Sequence, residues 1–131
     1  MKPGHLLLTG LLAATALPLA AQEPEVVLVC GGIGIEESLP MRQAQQAHAL
    51  TVLFANAEGD YVTDVRTHVA STQSAAFAEH ERCGPVAQVD VAQAGRYRIR
   101  AQLDGITLEE TLELTPRGGA RIVLRWGAQP R

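Results

Sequence analysis

Aromatic residues are scarce in this chain of 131 residues, which contains one Trp, two Tyr and two Phe. Proteins commonly hold bases and sugars by stacking them on aromatic side chains, so few such platforms are present here. Positive charge is also limited: eleven basic residues, of which Lys2 is the only lysine, stand against fourteen acidic residues. Nucleic acids and anionic membrane surfaces bind a basic face, and the sequence therefore argues against both as partners.

Long hydrophobic runs are missing as well. The longest apolar segment, residues 6–21, is interrupted by Pro18 and is shorter than the roughly 20 residues that a membrane span requires. The segment follows Lys2 and ends in small residues, which is the order found in secretory signal peptides. It therefore predicts a signal peptide, with an uncleaved membrane anchor as the alternative.

Cleavage after Ala20 or Ala21 would leave a chain that fits one small domain. The predicted organisation is a signal peptide over residues 1–21 and a single domain over residues 22–131. We expect the mature protein to be periplasmic or secreted, with no membrane span remaining after cleavage.

The chain has few cysteines, and both of them, Cys30 and Cys83, lie in the predicted exported part. In an oxidising compartment an isolated pair more often forms a disulfide than two free thiols. The bond would close a long loop and contribute about 4 kcal/mol in the chain-entropy treatment. We predict a Cys30–Cys83 disulfide.

The first half of the mature chain predicts one helix followed by strands. Residues 36–49 are rich in helix formers and begin near a proline, which favours a short helix. Residues 49–55 and 61–70 are apolar or alternating and predict two strands joined as a hairpin by a turn that contains glycine. Residues 71–84 have no clear period and predict a loop.

The second half alternates more clearly between apolar and polar residues. It predicts strands over 86–91, 94–103, 106–114 and 120–126. Asp104-Gly105 separates two of these runs and favours a two-residue hairpin turn. The whole pattern predicts a mainly β protein, a sandwich or open barrel of about seven antiparallel-rich strands with one short helix.

The charged residues on both sides of Asp104-Gly105 indicate the register in which the two strands of this hairpin pair. If Asp104 and Gly105 form the turn, oppositely charged residues face each other twice, which stabilises a sheet face. The pairs are Arg100 with Glu109 and Arg96 with Glu113. On the other face Ile99 meets Glu110, an awkward match that predicts an edge position for the glutamate.

The run CGPVAQVDVAQAGRYRIRA, residues 83–101, resembles the carboxypeptidase regulatory-like modules, in which a strand leads through a turn into Gly-x-Tyr-x-x-x-Ala. Gly95, Tyr97 and Ala101 supply that pattern, and the layout of the chain is similar to small exported bacterial proteins of this type. The resemblance implies a transthyretin-like, or prealbumin-like, β-sandwich. It implies no catalytic residue, because in carboxypeptidases that carry such a module the catalytic groups belong to another domain.

The stretch VCGGIGIEES, residues 29–38, places glycines between a strand and a helix, as phosphate-binding turns do. A dinucleotide loop would need a third glycine where Glu37 stands, and no Gly-Lys-Ser/Thr ending follows. Glu36 and Glu37 can themselves take the electrostatic role of an anion at the helix start. The stretch therefore predicts a structural turn, and the separation of Cys30 from residues 6–21 argues against a lipid attachment site.

Histidines and acids do not assemble into a recognisable catalytic or metal-binding set in the sequence. His80 with its neighbouring glutamates lacks a second ligand cluster, so no metal and no cofactor is predicted. Asp64, His68 and Ser71 resemble a hydrolase triad in composition, but positions 64 and 68 of one strand lie about 13 Å apart. A small metal-dependent or hydrolytic enzyme using His68, His80 and nearby acids is the alternative function.

Arginines form the one candidate binding face. If the closing strand lies beside the hairpin, their guanidinium groups would form a stripe suited to carboxylates or sulfated sugars, with pairing to glutamates as the alternative. The residues are Arg96, Arg98, Arg100, Arg121 and Arg125. The leading hypothesis is a non-enzymatic binding or structural accessory module of the cell envelope, whose partner is an unknown protein or a small anionic or glycan ligand.

Overall fold

The computed structural model describes residues 25–127, so the predicted signal peptide lies outside the described residues. Eight strands form two four-stranded sheets that pack into a β-sandwich, which confirms the predicted mainly β fold. One helix, α1, spans Ile35–Gln43. The strands are β1 (Val26–Gly31), β2 (Leu50–Ala55), β3 (Val65–Ser71), β4 (Phe77–Cys83), β5 (Val86–Val91), β6 (Gly95–Leu103), β7 (Ile106–Leu114) and β8 (Ala120–Arg125).

The two sheets have the strand orders β1-β5-β2-β8, here called the first sheet, and β4-β3-β6-β7, the second sheet. All neighbouring strands are antiparallel except β2 and β8, which are parallel. The sandwich therefore has β1 and β4 as edge strands that meet on one side. No helix among residues 25–127 is long and apolar enough to cross a membrane.

The core lies between the sheets and follows from alternation along the strands. In β6, Tyr97, Ile99 and Ala101 are buried while the arginines between them are exposed, as expected for a strand with one face in solvent. Every residue of β2 is buried, and the strand lies between β5 and β8. Helix α1 packs on β5 of the first sheet. The amide of Gln88 on β5 donates to the carbonyl oxygen of Met41 on α1 at 2.7 Å and to the hydroxyl of Thr51 at 3.1 Å.

The hairpin predicted at Asp104-Gly105 is confirmed, with the predicted register along all of β6 and β7. Both turn residues have positive φ, 52° for Asp104 and 78° for Gly105, as the two-residue turn requires. Ile99 faces Glu110 and is fully buried, whereas Glu110 is exposed. The carboxylate of Glu110 remains in contact with solvent because β7 is one of the two edge strands of the second sheet.

Residues 71–84 do not form the predicted loop, because they contain strand β4. Most residues of β4 are exposed, and the strand lies at a sheet edge with an irregular register between Val65 and Thr67 of β3. An edge strand with so little burial needs no alternation of apolar residues, so the sequence period gave no sign of it.

The predicted hairpin between residues 49–55 and 61–70 is also wrong. Strand β2 belongs to the first sheet and β3 to the second, and only a single bridge joins Ala55 to Tyr61. Asp64 follows with a left-handed φ of 61° just before β3 begins, so the chain turns here from one sheet to the other.

The helix is shorter than the predicted 36–49. It ends at Gln43 and continues as a single 3₁₀ turn over Gln45–Ala47 before β2. Side chains fix this connection on the first sheet: the amide of Gln45 donates to the carbonyl oxygen of Gly119 at 3.0 Å. The Nδ1 atom of His48 lies 3.0 and 3.1 Å from the two carboxylate oxygens of Asp90.

Two buried aromatic side chains also stabilise the fold through packing and hydrogen bonds. Trp126, directly after β8, packs against Phe54 with ring centroids 5.8 Å apart, and its Nε1 donates to the carbonyl oxygen of Ile106 on β7 at 3.0 Å. This contact joins the two sheets on the side opposite to β1 and β4. The hydroxyl of Tyr97 donates to the carbonyl oxygen of Gln93 at 2.7 Å, and burial raises the pKa of this tyrosine.

Candidate functional site

The predicted disulfide is present between Cys30 at the end of β1 and Cys83 at the end of β4, with a Cα–Cα distance of 5.0 Å. It joins the edge strands of the two sheets. The chain continues from Cys30 into the glycine turn and from Cys83 into Gly84-Pro85. Both segments that leave the disulfide line a cavity, described below, so the bond fixes two of its walls relative to each other.

The glycine turn connects β1 to α1 and is occupied by a carboxylate of its own chain. Oε1 of Glu37 accepts hydrogen bonds from the backbone N–H groups of Gly32 and Ile33, each at 3.0 Å. These are the donors that a bound phosphate would use in a phosphate-binding turn. The internal carboxylate takes that position, which agrees with the predicted structural turn.

Gly32 has a φ of 93° and lies so close to β5 that a Cβ atom there would be 2.5 Å from Cγ2 of Val86. Gly59 has the same φ of 93°, and nothing lies within 4 Å of a Cβ atom built on it. Alanine substitutions at Gly59 and Gly32 can therefore separate the free-energy cost of a left-handed backbone from the cost of steric overlap with a neighbouring residue.

We expect Gly59→Ala to lower the free energy of unfolding by about 1–2 kcal/mol, the cost of a left-handed non-glycine residue. Gly32→Ala should cost about 1–3 kcal/mol more, because its methyl group overlaps Val86. Urea unfolding of both oxidised variants, followed by circular dichroism, measures the difference. Equal losses would show that β5 yields to the methyl group and that the turn is not closely packed.

A cavity of about 370 Å³ opens between the glycine turn, α1 and the segment before β3. Its lining comes from residues 32–35, from Ser38 and Arg42 of α1, from residues 61–63, and from Pro85. The volume lies in the range of small-molecule sites, about 300–1,000 Å³. We call this the α1 cavity.

Several apolar side chains that line the α1 cavity are exposed to solvent. Ile33, Ile35 and Tyr61 line it with 68%, 63% and 45% of their surface exposed. Single exposed apolar residues are common on protein surfaces, whereas a cluster of them around a concave surface is typical of a binding site. The lining thus offers apolar area that a ligand could cover.

Arg42 is the charged residue of the cavity lining. Its Nε atom is buried and has no hydrogen-bond partner among residues 25–127. The ion pairs of that part of the chain involve other cations, namely His48, Arg66, Arg82, Arg96, Arg98 and Arg100. Most buried polar atoms in proteins are hydrogen-bonded, so the unpaired Nε of Arg42 is an exception within this part of the chain.

The C-terminal end of α1, which carries Arg42, is held in place by residues within and directly after the helix. Met41 accepts the hydrogen bond from Gln88, and the backbone after the helix is held by Gln45 and His48. The helix end is therefore anchored to the first sheet at several points.

The arginines of the predicted binding face do not form one stripe. The closing strand β8 pairs with β2 in the first sheet, so the premise that it lies beside the hairpin is wrong. Arg121 and Arg125 are on β8, and the other three are on β6 in the second sheet. The binding role predicted for these five residues stays a prediction.

Glutamates pair with the β6 arginines along the outer face of the second sheet. Arg96 lies 3.0 Å from Glu113, and Arg98 and Arg100 lie 3.1 and 3.9 Å from Glu109. All of these side chains are substantially exposed, so each pair contributes at most about 1 kcal/mol to stability. Pairing leaves this face with mixed charge instead of a basic surface.

His68 and His80, the histidines of the alternative enzyme, lie on the paired strands β3 and β4, where His68 is opposite Glu79 and His80 is opposite Thr67. Their side chains and that of Asp64 make contacts with residues outside the proposed catalytic set. His68 stacks on Phe77 with ring centroids 5.3 Å apart, Asp64 pairs with Arg82 at 3.6 Å, and Nδ1 of His80 accepts the backbone N–H of Arg82. Within residues 25–127 no group of three or more His, Cys, Asp or Glu residues is placed to hold a metal ion. Cys83 is already in the disulfide.

Sequence reasoning missed Arg42 and Tyr61, which contribute to the α1 cavity from segments far apart in the chain. The one local signal was the pair Ile33, in the glycine turn, and Ile35, at the start of α1, two large apolar residues that are exposed. No family model matches this chain, and a search of curated proteins finds no significant match to it.

Proposed function

We propose that this protein is an exported, non-catalytic binding module, and that the α1 cavity is where it binds. The observation that carries the proposal is the lining of that cavity, which is largely apolar and contains Arg42 as its charged side chain. The side chains that most often act as general acids or bases, namely His, Asp, Glu, Lys and Cys, are not among the lining residues. The lining therefore favours retention of a ligand over its conversion.

Export is supported by the disulfide and by the sequence of the first 21 residues. Disulfides persist in oxidising compartments and are rare in the reducing cytosol. The Cys30–Cys83 bond joins the two segments that continue into the cavity lining, so its formation and the shape of the cavity depend on the same compartment. We place the protein in the cell envelope, as a periplasmic or secreted binding or accessory protein with a carboxypeptidase regulatory-like, transthyretin-like sandwich.

Fragment screening by amide NMR spectroscopy tests this proposal on the oxidised full-length mature chain. We expect fragments to shift the amide signals of residues 32–35 and 61–63, with no fragment converted during the measurement. A library in which no fragment shifts those signals would contradict the proposal.

The alternative function is a small hydrolytic or metal-dependent enzyme that uses His68 and His80. The same protein can be assayed with a panel of ester, amide and phosphoester substrates, with and without divalent metal ions. Turnover that is abolished by His68→Ala or His80→Ala would support the enzyme and overturn the binding module.

A further inference from the structure

We infer that the α1 cavity binds a small apolar monocarboxylate, whose carboxylate pairs with Arg42. The inference rests on the proposed binding function and adds the chemical class of the ligand. Three observations carry it: Arg42 lines the cavity without an ion pair among residues 25–127, apolar side chains of the lining are exposed, and no Asp or Glu belongs to the lining.

Arg42 has no partner for its charge among residues 25–127, where the ion pairs involve other cations. Its Nε also lacks a hydrogen-bond partner, but that atom is enclosed by the protein, so a ligand in the cavity would approach the terminal Nη atoms of the guanidinium group. Guanidinium groups match carboxylates especially well, since two parallel N–H donors can meet the two carboxylate oxygens.

The charged residue in the lining favours an anionic ligand. Arg42 contributes one positive charge, and no Asp or Glu belongs to the lining of the α1 cavity. Two carboxylates lie beside the glycine turn: that of Glu37 accepts two of its backbone hydrogen bonds, and that of Glu36 is exposed near Gly34. An anion is thus the complementary charge at this site.

The other residues of the lining indicate the chemical character of the uncharged part of the ligand. Ile33, Ile35, Val62 and Pro85 present apolar surface, and the first two are mostly exposed. Covering this surface favours binding in proportion to the apolar area removed from water. A purely polar anion such as phosphate would leave it exposed, so the ligand carries an apolar body beside its single carboxylate.

Octanoate and octanol are matched probes, because they share a chain and differ in charge. Isothermal titration calorimetry on the oxidised protein should show that octanoate binds more tightly than octanol, by at least about tenfold, the value of one charge-assisted hydrogen bond. Octyltrimethylammonium, with the opposite charge, should bind more weakly than either.

Variants then assign the binding to named residues. Arg42→Met should weaken octanoate by at least about tenfold and leave octanol unchanged, because only the charged contact is lost. Ile35→Ser should weaken both probes, because it removes apolar surface that both cover. Arg66→Met, on the exposed face of β3 and outside the lining of the α1 cavity, is the matched control and should change neither affinity. The amide spectrum of each variant confirms that it is folded.

The outcomes separate this inference from the proposed function. If octanoate and octanol bind equally, or if Arg42→Met leaves octanoate unchanged, the carboxylate assignment is overturned while the binding cavity stands. If none of the probes shifts the amide signals of residues 32–35 and 61–63, both the ligand class and its site are overturned. Stronger binding of octanoate that depends on Arg42 and Ile35 supports both.

Discussion

Replacement of both Cys30 and Cys83 by alanine is expected to lower the free energy of unfolding by about 4 kcal/mol. The bond connects residues separated by 53 positions, so it removes a large amount of chain entropy from the unfolded state. Domains of this size are stable by only about 5–15 kcal/mol, and the loss is therefore a large share of the total. Equilibrium unfolding in guanidinium chloride at 25 °C measures it.

Two controls make the disulfide experiment specific. The wild-type protein under a reducing agent should unfold at nearly the same denaturant concentration as the Cys30→Ala, Cys83→Ala variant without it. The reducing agent should leave the variant unchanged. A loss below about 1 kcal/mol would mean that packing between β1 and β4 already joins the sheet edges and that the bond adds little.

Trp126→Ala is expected to cost about 3–5 kcal/mol, as truncations of large buried aromatics do. Only 6% of Trp126 is exposed, and its ring packs on Phe54, which is fully buried. The truncation leaves a cavity beside Phe54 and removes the hydrogen bond to Ile106 that joins the two sheets. Thermal and urea unfolding of the variant and the wild type give the difference.

Trp126→Phe is the matched variant for this prediction. Phenylalanine keeps most of the packing on Phe54 but cannot donate to the carbonyl oxygen of Ile106, so we expect a smaller cost of about 1–2 kcal/mol. A cost equal to that of Trp126→Ala would show that the hydrogen bond, and not the ring, joins β8 to β7. No measurable cost for either variant would contradict the role assigned to Trp126.

The parts of the fold that could be predicted from the sequence are those with local causes. The hairpin of β6 and β7 is set by Asp104-Gly105 and by alternating residues on both sides, so its register could be read directly. Strand β4 could not be predicted, since its exposed edge position requires no apolar alternation. The pairing of β8 with β2 joins distant segments and leaves no local signal, so the predicted arginine stripe rested on a wrong neighbour.

The candidate site was less predictable than the fold, for a related reason. The disulfide could be predicted because the chain has only two cysteines to pair. The α1 cavity exists only where α1, residues 61–63 and Pro85 come together. A chain crossing between the sheets at Asp64 brings them together, and the sequence pattern predicted a hairpin there instead. Arg42 was therefore indistinguishable from any other polar residue on a short helix.

Glu110 has a consequence for the pairing of a second molecule along the edge of the second sheet. It occupies an inward-facing position on β7, a strand whose outer edge carries backbone groups that another strand could use. A second copy that paired there would trap the carboxylate between the two molecules and remove its hydration, which costs several kcal/mol for an unpaired charge. The residue that fits the hairpin least well thus protects the sandwich against aggregation through this edge.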